Sequence, residues 1–286
     1  ISNNIEQNYK IFKIKKRNGK TRNIHEPKYN LKIIQKNILH NILEERYISK
    51  YAKAYKKGTS LKDNAIVHQN KDMVLKLDIK DFFNNITYMQ VYCHCFPEEY
   101  FPKKIGTLLT NLCTYQDSLP QGAPTSSYIS NIIMLDFDIK IGKYCNEHNI
   151  SYTRYCDDMT FSGNFSKKDI ITYVEKELKK IGLYLNKEKI NLITKKSRQI
   201  VTGIVVNEKI QVNIDYGKNI RKNIFYIKKY GLNSHINYLK ITIPKEKYLN
   251  QLLGRINFVL QVDNTNREFI EYKQYIIKLI KNNYDG

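Results

Sequence analysis

The chain has 286 residues, 42% hydrophobic and 26% charged, enough to bury a core in one elongated domain or two to three subdomains and too apolar for a disordered protein. Lys and Arg number 48 against 27 Asp and Glu, and the resulting +21 is spread along the whole chain; it favours a polyanionic partner over a small acidic substrate, although an AT-rich coding bias would raise Lys, Asn, Ile and Tyr alike. Five cysteines without a CxxC pair suggest neither a disulfide framework nor a zinc ribbon, and the absence of a long apolar run or leader points to a soluble, cytoplasmic protein with no membrane contact.

In chain order, the first informative stretch is Lys50 to Lys57, where lysines interleave with Tyr51 and Tyr55 in a pattern suited to RNA phosphates and unpaired bases, or to an ordinary surface of half-buried tyrosines. Asn64 and His68 stand four apart and would share one face of a helix. Met73 to Ile79 alternates, with Met73, Leu75, Leu77 and Ile79 on one face and Val74, Lys76 and Asp78 on the other, and reads as a half-buried strand. Cys93-His94-Cys95 is too tightly spaced for a metal site and lacks a second ligand pair. Leu119 to Pro124 is a Pro/Gly loop, after which Thr125 or Ser126 can cap a helix carrying Ile129, Ile132, Ile133 and Phe137 and ending near Gly142. Ser151–Tyr155 and Met159–Gly163 flank Cys156-Asp157-Asp158 as a hairpin. Ser166 to Asp169 resembles a capping box for a helix stopped by Gly182, and Gln199–Val206 is a β-branched run taken as the last strand. The order is βαββαβ, the split βαβ arrangement of ferredoxin-like domains.

A right-handed crossover makes the strand entering the hairpin parallel to the first, so the hairpin turn lies at the edge where the first strand ends. Asp78 then meets Asp157 and Asp158. Three converging carboxylates need a cation between them, and oxygen ligands with room for water and phosphate favour Mg²⁺. Two such ions would serve an in-line phosphoryl transfer. Alone, Asp-Asp would be an ordinary polar turn; Asp78 opposite it favours the catalytic reading.

At these residues the chain resembles reverse transcriptases. Tyr155-Cys156-Asp157-Asp158 is similar to the YxDD box, Asp78 to Phe83 to the motif supplying the other metal carboxylate, and Leu119 to Ser126 to the LPQGxPxS loop. Lys16 to Ile24, followed by Pro27, matches the segment that meets the incoming nucleotide. Asn64 to His68 and Val201-Thr202-Gly203 resemble the NAxxH and VTG signatures of the retron subfamily, and Gly254 to Val259, with Arg255, resembles its thumb. Cys156 stands where alanine is commonest, and Ser127 where a proline often follows the loop.

The resemblance implies an α+β right-hand polymerase, with fingers in residues 1–71, a ferredoxin-like palm with inserted fingers elements in 72–215, and a helical thumb in 216–286. It implies that Asp78, Asp157 and Asp158, with the Ile79 backbone, hold two Mg²⁺ ions, Mn²⁺ being a substitute. Asp81 and Phe82 would cradle the triphosphate by their backbone; Phe83 would act as a steric gate against ribose, unless it is simply core. Gln121, Gly122, Tyr155 and Cys156 would border the nascent pair; Lys16 and Arg22 would neutralise the triphosphate, unless they are solvated surface charges. Lys189 would protonate the leaving pyrophosphate, although a Lys-rich helix end would look the same. Implied partners are dNTPs, a cognate structured non-coding RNA (msr-msd), its msDNA product, branched from an internal guanosine 2′-OH, and a separate effector protein in antiphage defence. Two other readings share these residues. The retron signatures argue against another bacterial reverse transcriptase, such as a group II intron type, and the intact aspartates argue against a non-catalytic RNA-binding palm.

Overall fold

Local preferences account for most of the element order in the computed structural model, which describes residues 2–15, 19 and 21–282. A hairpin, β1 (Tyr9–Lys15) and β2 (Thr21–Pro27), precedes α1 (Tyr29–Ile38) and the short α2 (Leu61–Ala65). Then follow β3 (Met73–Asp78), α3 (Tyr88–Cys95), α4 (Lys103–Cys113), α5 (Ser126–Ile133), α6 (Leu135–Glu147), β4 (Ser151–Tyr155), β5 (Asp158–Gly163), α7 (Lys167–Lys180) and β6 (Asn191–Thr194). Three two-residue strands, β7 (Ile200–Val201), β8 (Ile204–Val205) and β9 (Gln211–Val212), lead into α8 (Ile214–Tyr230), α9 (Leu232–Tyr238), α10 (Lys245–Val262) and α11 (Arg267–Asn282).

The chain divides into two compact units, residues 1–60 with 72–194, and residues 61–71 with 195–286. In the first, β3 to β6 form an antiparallel-paired sheet ordered β4-β5-β3-β6, so β3 and β4 run parallel with β5 between them. That is the ferredoxin-like order expected of βαββαβ. β3 is central, and Val74, Leu75 and Leu77 are all fully buried: both of its faces are covered, where the alternation had suggested one. The outer edge of β4 is occupied too. Arg154 N donates to the Tyr51 carbonyl and Lys53 N to the Arg154 carbonyl, both at 2.8 Å, closing the ladder on that side. On α7, Ile170, Val174 and Leu178 recur at four-residue spacing and are buried, and the Ser166 hydroxyl accepts from Asp169 N as the cap.

Two further expectations need correction. The run Gln199–Val206 is not the fourth strand of this sheet; β6 takes that place beside β3. The run bends because Thr202 and Gly203 both have positive φ (46° and 86°), the requirement of a two-residue hairpin turn, and β7 pairs back on β8 in the second unit. The helix expected from Ser126 to Gly142 is two helices, broken at Met134. Near the break the Ser130 hydroxyl donates back to the Ser127 carbonyl at 2.7 Å, a local bond that competes with the helix ladder. Thr125 makes no side-chain cap bond, while the Ser126 hydroxyl donates to the Pro120 carbonyl at 2.8 Å and ties the loop to the helix start.

The second unit owes its core to helical stripes. Ile220, Ile224 and Ile227 on α8 pack with Leu249, Leu252, Ile256 and Val259 on α10 and with Phe269 and Ile276 on α11. Among the described residues, no helix is long and apolar enough to cross a membrane.

Candidate active site

Asp78 ends β3 directly opposite Asp158, the first residue of β5. One step further, Ile79 N donates to the Asp157 carbonyl at 3.1 Å. Hydrogen-bonded and non-hydrogen-bonded pairs alternate along antiparallel strands, so Asp78 and Asp158 form a close, non-hydrogen-bonded pair with Cα atoms about 4.5 Å apart. Cys156, in the turn, has φ +60°, a conformation that non-glycine residues enter at a cost. Tyr155 is half-buried ahead of it.

The electrostatics follow from this crowding. Burial, then the charge of Asp78, raises the Asp157 carboxyl above the ordinary carboxylate range; burial, then the charges of Asp157 and Asp78, raises Asp158. Asp78 is buried, and its oxygens accept from Lys189 Nζ at 2.7 Å and Asn186 Nδ2 at 3.2 Å. Partial burial would lower the Lys189 ammonium, but the hydrogen bond and charge of Asp78, with the charges of Asp157 and Asp158, outweigh it and hold the group above its usual value. A cleft of about 530 Å³ opens between Asp78, Asp158, Glu188 and Lys189. Among the described residues no three acidic, His or Cys side chains are drawn together closely enough to hold a metal ion, and one Asp78 oxygen is engaged by Lys189. Two raised, mutually repelling carboxylates beside a third, with one ammonium opposite, nevertheless form a donor set that fits hard divalent cations.

Beyond Asp78 the chain turns sharply. Lys80 N donates to the Tyr184 carbonyl at 2.8 Å, and Asp81 adopts φ +46° with its side chain exposed. Phe82 goes into the core at 3% exposure, whereas Phe83 stays half-buried, their ring centroids 5.4 Å apart. Only Phe83 has a face left for a ligand. Gln121 and Gly122 lie against β2: His25 N donates to the Gln121 carbonyl at 2.8 Å. Gly122 has φ +125°, and a Cβ there would lie 3.0 Å from the His25 carbonyl oxygen and from Ile24 Cγ2, so a side chain would be strained and would have to push its neighbours aside. Arg22 is exposed on β2, opposite Ile14. Lys16 lies outside the described residues.

Three features escaped the sequence reading. Arg154 and Asp138 form a fully buried ion pair beneath the turn. Asn186 bonds Asp78 through its side chain and, by its backbone N–H, the Asp78 carbonyl at 2.8 Å. The third is the Cys156 thiol, which burial pushes up to about 12, so that it stays protonated and unreactive. The available signal was Arg154 itself, a charge on the same strand face as Tyr152.

The subfamily signatures meet in the second unit. Asn64 Nδ2 donates to Thr202 Oγ1 at 3.3 Å across 138 residues of sequence, and Thr202 Oγ1 to the Leu61 carbonyl at 3.5 Å. Asn64, His68 and Val201 are buried, and Gly203 is exposed at the turn. Arg255, on α10, donates to Asn219 Oδ1 at 2.9 Å and lies 5.2 Å over the Tyr216 ring.

Comparison with known proteins bears on this arrangement. Residues 14–243 match the family described as Reverse transcriptase (RNA-dependent DNA polymerase). The Retron Ec86 reverse transcriptase of Escherichia coli is 30% identical over 270 residues, covering 92% of this chain and 80% of its own length. The Retron Ec83 reverse transcriptase, also of Escherichia coli, is 30% identical over 298 residues, covering 97% and 91%. Among solved structures, the foamy viral protease-reverse transcriptase in complex with double-stranded DNA superposes with a TM-score of 0.55 at 16% identity, over 96% of this chain and 39% of that one, a likeness of fold. The β3–β5 edge with its three aspartates is therefore set in a right-hand polymerase fold, and the chain belongs to the reverse transcriptase family as a retron-type, RNA-directed DNA polymerase.

Proposed function

We propose that this enzyme copies part of a cognate structured non-coding RNA, msr-msd, into msDNA, starting from a 2′-OH of the RNA to give a branched RNA–DNA molecule, and that it acts in antiphage defence with a separate effector protein. We propose further that Asp78, Asp157 and Asp158 hold two Mg²⁺ ions, for which Mn²⁺ can substitute. The observation that carries the site is the register: Asp78 faces Asp158 across adjacent strands, with Asp157 in the turn between β4 and β5. The family uses divalent metal ions, and when bound they would activate the attacking hydroxyl and stabilise the leaving pyrophosphate.

The chain's own residues supply the rest. Lys189, held protonated beside Asp78, would hand a proton to the pyrophosphate, and Asn186 would orient the Asp78 carboxylate; their bonds to Asp78 support both roles. With the Ile79 and Lys80 N–H groups bonded within the fold, the bent backbone at Asp81 and Phe82 would cradle a triphosphate, with Arg22 and Lys16 as counter-charges. Phe83 presents its free face to the sugar, and Gln121 and Gly122, sealed against β2, border the new base pair. The Asn64–Thr202 contact joins the two retron signatures into one structural element, which supports the retron assignment of the RNA partner.

Mg²⁺-dependent dNTP incorporation on an RNA template tests the site. Asp157→Asn should lower the rate by about 10³-fold or more, the several kcal/mol that a metal-held charge contributes. Retained activity would remove the assignment. Isolation of nucleic acid that co-purifies with the protein, followed by enzymatic debranching, tests the product: RNA joined to DNA through a 2′ linkage supports it, and unbranched product refutes it.

A further inference from the structure

Beneath the catalytic turn lies an ion pair with no contact to solvent. Arg154 and Asp138 are both 0% exposed. The guanidinium grips the carboxylate with two bonds, Nε to Oδ1 at 2.9 Å and Nη2 to Oδ2 at 2.7 Å, while the Tyr152 hydroxyl donates to Oδ1 at 2.8 Å. Its remaining nitrogen, Nη1, donates to the Cys156 carbonyl at 2.9 Å. The Arg154 backbone is fixed as well, bonded through N and O to Tyr51 and Lys53.

Taking two charges out of water is costly, and such a pair is commonly no more stabilising than apolar residues of the same volume. Stability alone is thus a poor account of this one. Its geometry suggests another. The bonded carbonyl is the acceptor half of the peptide that joins Cys156 to Asp157, and Cys156 is held at φ +60°. Rotation of that peptide would swing the Asp157 side chain away from Asp78. We propose that Arg154, aimed by Asp138 and Tyr152, is a positioning residue that locks the Cys156–Asp157 peptide and so sets the reach of Asp157 and Asp158. The proposal rests on the reading that these aspartates hold the ions. A guanidinium can do this because its planar fork satisfies a carboxylate and a carbonyl at once; an ammonium on a flexible stem cannot hold the same geometry.

The test separates positioning from core packing. Arg154→Met alone leaves Asp138 buried without its partner and loses stability, so the informative variants are the double change D138L/R154M, which removes both charges, and Arg154→Lys, which keeps a charge opposite Asp138 but loses the Cys156 bond. Thermal unfolding, Mn²⁺ affinity from the resonance signal of free ion without nucleotide, and steady-state kinetics are compared with wild type. In the double variant the melting temperature stays near wild type, the Mn²⁺ dissociation constant rises about tenfold, as for lost supports of metal ligands, and kcat falls on the order of a hundredfold with little change in KM for dNTP. Arg154→Lys shows the same split and decides the matter should the double variant not fold. Wild-type kcat and Mn²⁺ affinity in the folded variants overturn the proposal. Asp157→Asn runs in parallel: an inactive Asp157→Asn with fully active Arg154 variants sinks the positioning role alone, whereas an active Asp157→Asn sinks the aspartate reading itself.

Discussion

At position 83 a half-buried phenylalanine follows one that is wholly enclosed, and this difference leaves only the Phe83 ring with a face open to a ligand. Phe83→Ala should raise ribonucleotide incorporation relative to deoxynucleotide by about 10- to 100-fold, the range of a small steric difference in a pocket. Single-nucleotide extension with dCTP and CTP measures it, and an unchanged ratio would assign the ring to packing. The family resemblance pointed to Phe83, but periodicity could not separate it from Phe82, because two adjacent apolar residues at a strand end carry no period. The aspartates were more legible. Their convergence follows from strand order and crossover hand, both set by hydrophobic periodicity and chirality. The buried Arg154–Asp138 pair was not, since a charge within an apolar run names no partner, and here the partner sits on the preceding helix.

Among elements, the sheet shows where periodicity misleads. Asn191–Thr194 is four residues long and looks unremarkable beside the longer β-branched run after it, yet it is the strand that pairs with Met73–Lys76. The longer run is spent on a hairpin because Thr202 and Gly203 turn it, and that turn carries the hydroxyl that Asn64 reaches. A double-mutant cycle with Asn64→Ala and Thr202→Val, followed by urea unfolding, should give a coupling of about 0.5 kcal/mol; additive losses would mean the contact contributes nothing. Helix α9 adds a pH response. His235 is buried, one ring nitrogen 2.9 Å from the Tyr248 hydroxyl and the other without a hydrogen-bond partner among the described residues. Burial depresses its pKa, so the fold favours the neutral ring. Its contribution to stability is complete above the unfolded value of about 6.5 and is lost as pH falls through that value toward the lower folded one. Urea unfolding at pH 7.5 and 5.5 should show wild type losing more stability on acidification than His235→Gln; parallel losses would exclude the residue. His25, depressed by burial in the same way, accounts for part of the slope that remains.

For the whole molecule, the charge of +21 becomes interpretable once the chain is a polymerase acting on nucleic acid. Not every Lys–Tyr neighbour faces a partner, however. In the second unit Lys228 lies 5.5 and 5.2 Å over the rings of Tyr272 and Tyr275, and Lys229 over Phe225 and Tyr230, so part of the aromatic surface is already engaged within the protein. RNA affinity measured against KCl should fall linearly on a log–log plot. Lys50→Ala should reduce the slope by about 1 if Lys50 meets a phosphate. An unchanged slope would place that lysine among the solvated charges. Fold class and strand edge were visible in the sequence because they depend on patterns summed over many residues; the allocation of individual lysines and tyrosines depends on single contacts and was not.

Gly142, on α6, has no role in chemistry, yet the Tyr51 ring lies so close over it that even a methyl group there would overlap the ring. That same tyrosine accepts from Asn146 at 3.1 Å through its hydroxyl and from the backbone of Arg154 through its carbonyl. A bulkier residue on the rear of the helix would therefore be felt, by way of one displaced ring, at the pair of strands that carries the aspartates. Sequence variation confined to that remote spot would surface as sluggish DNA synthesis in a protein whose every nucleotide-facing side chain is intact.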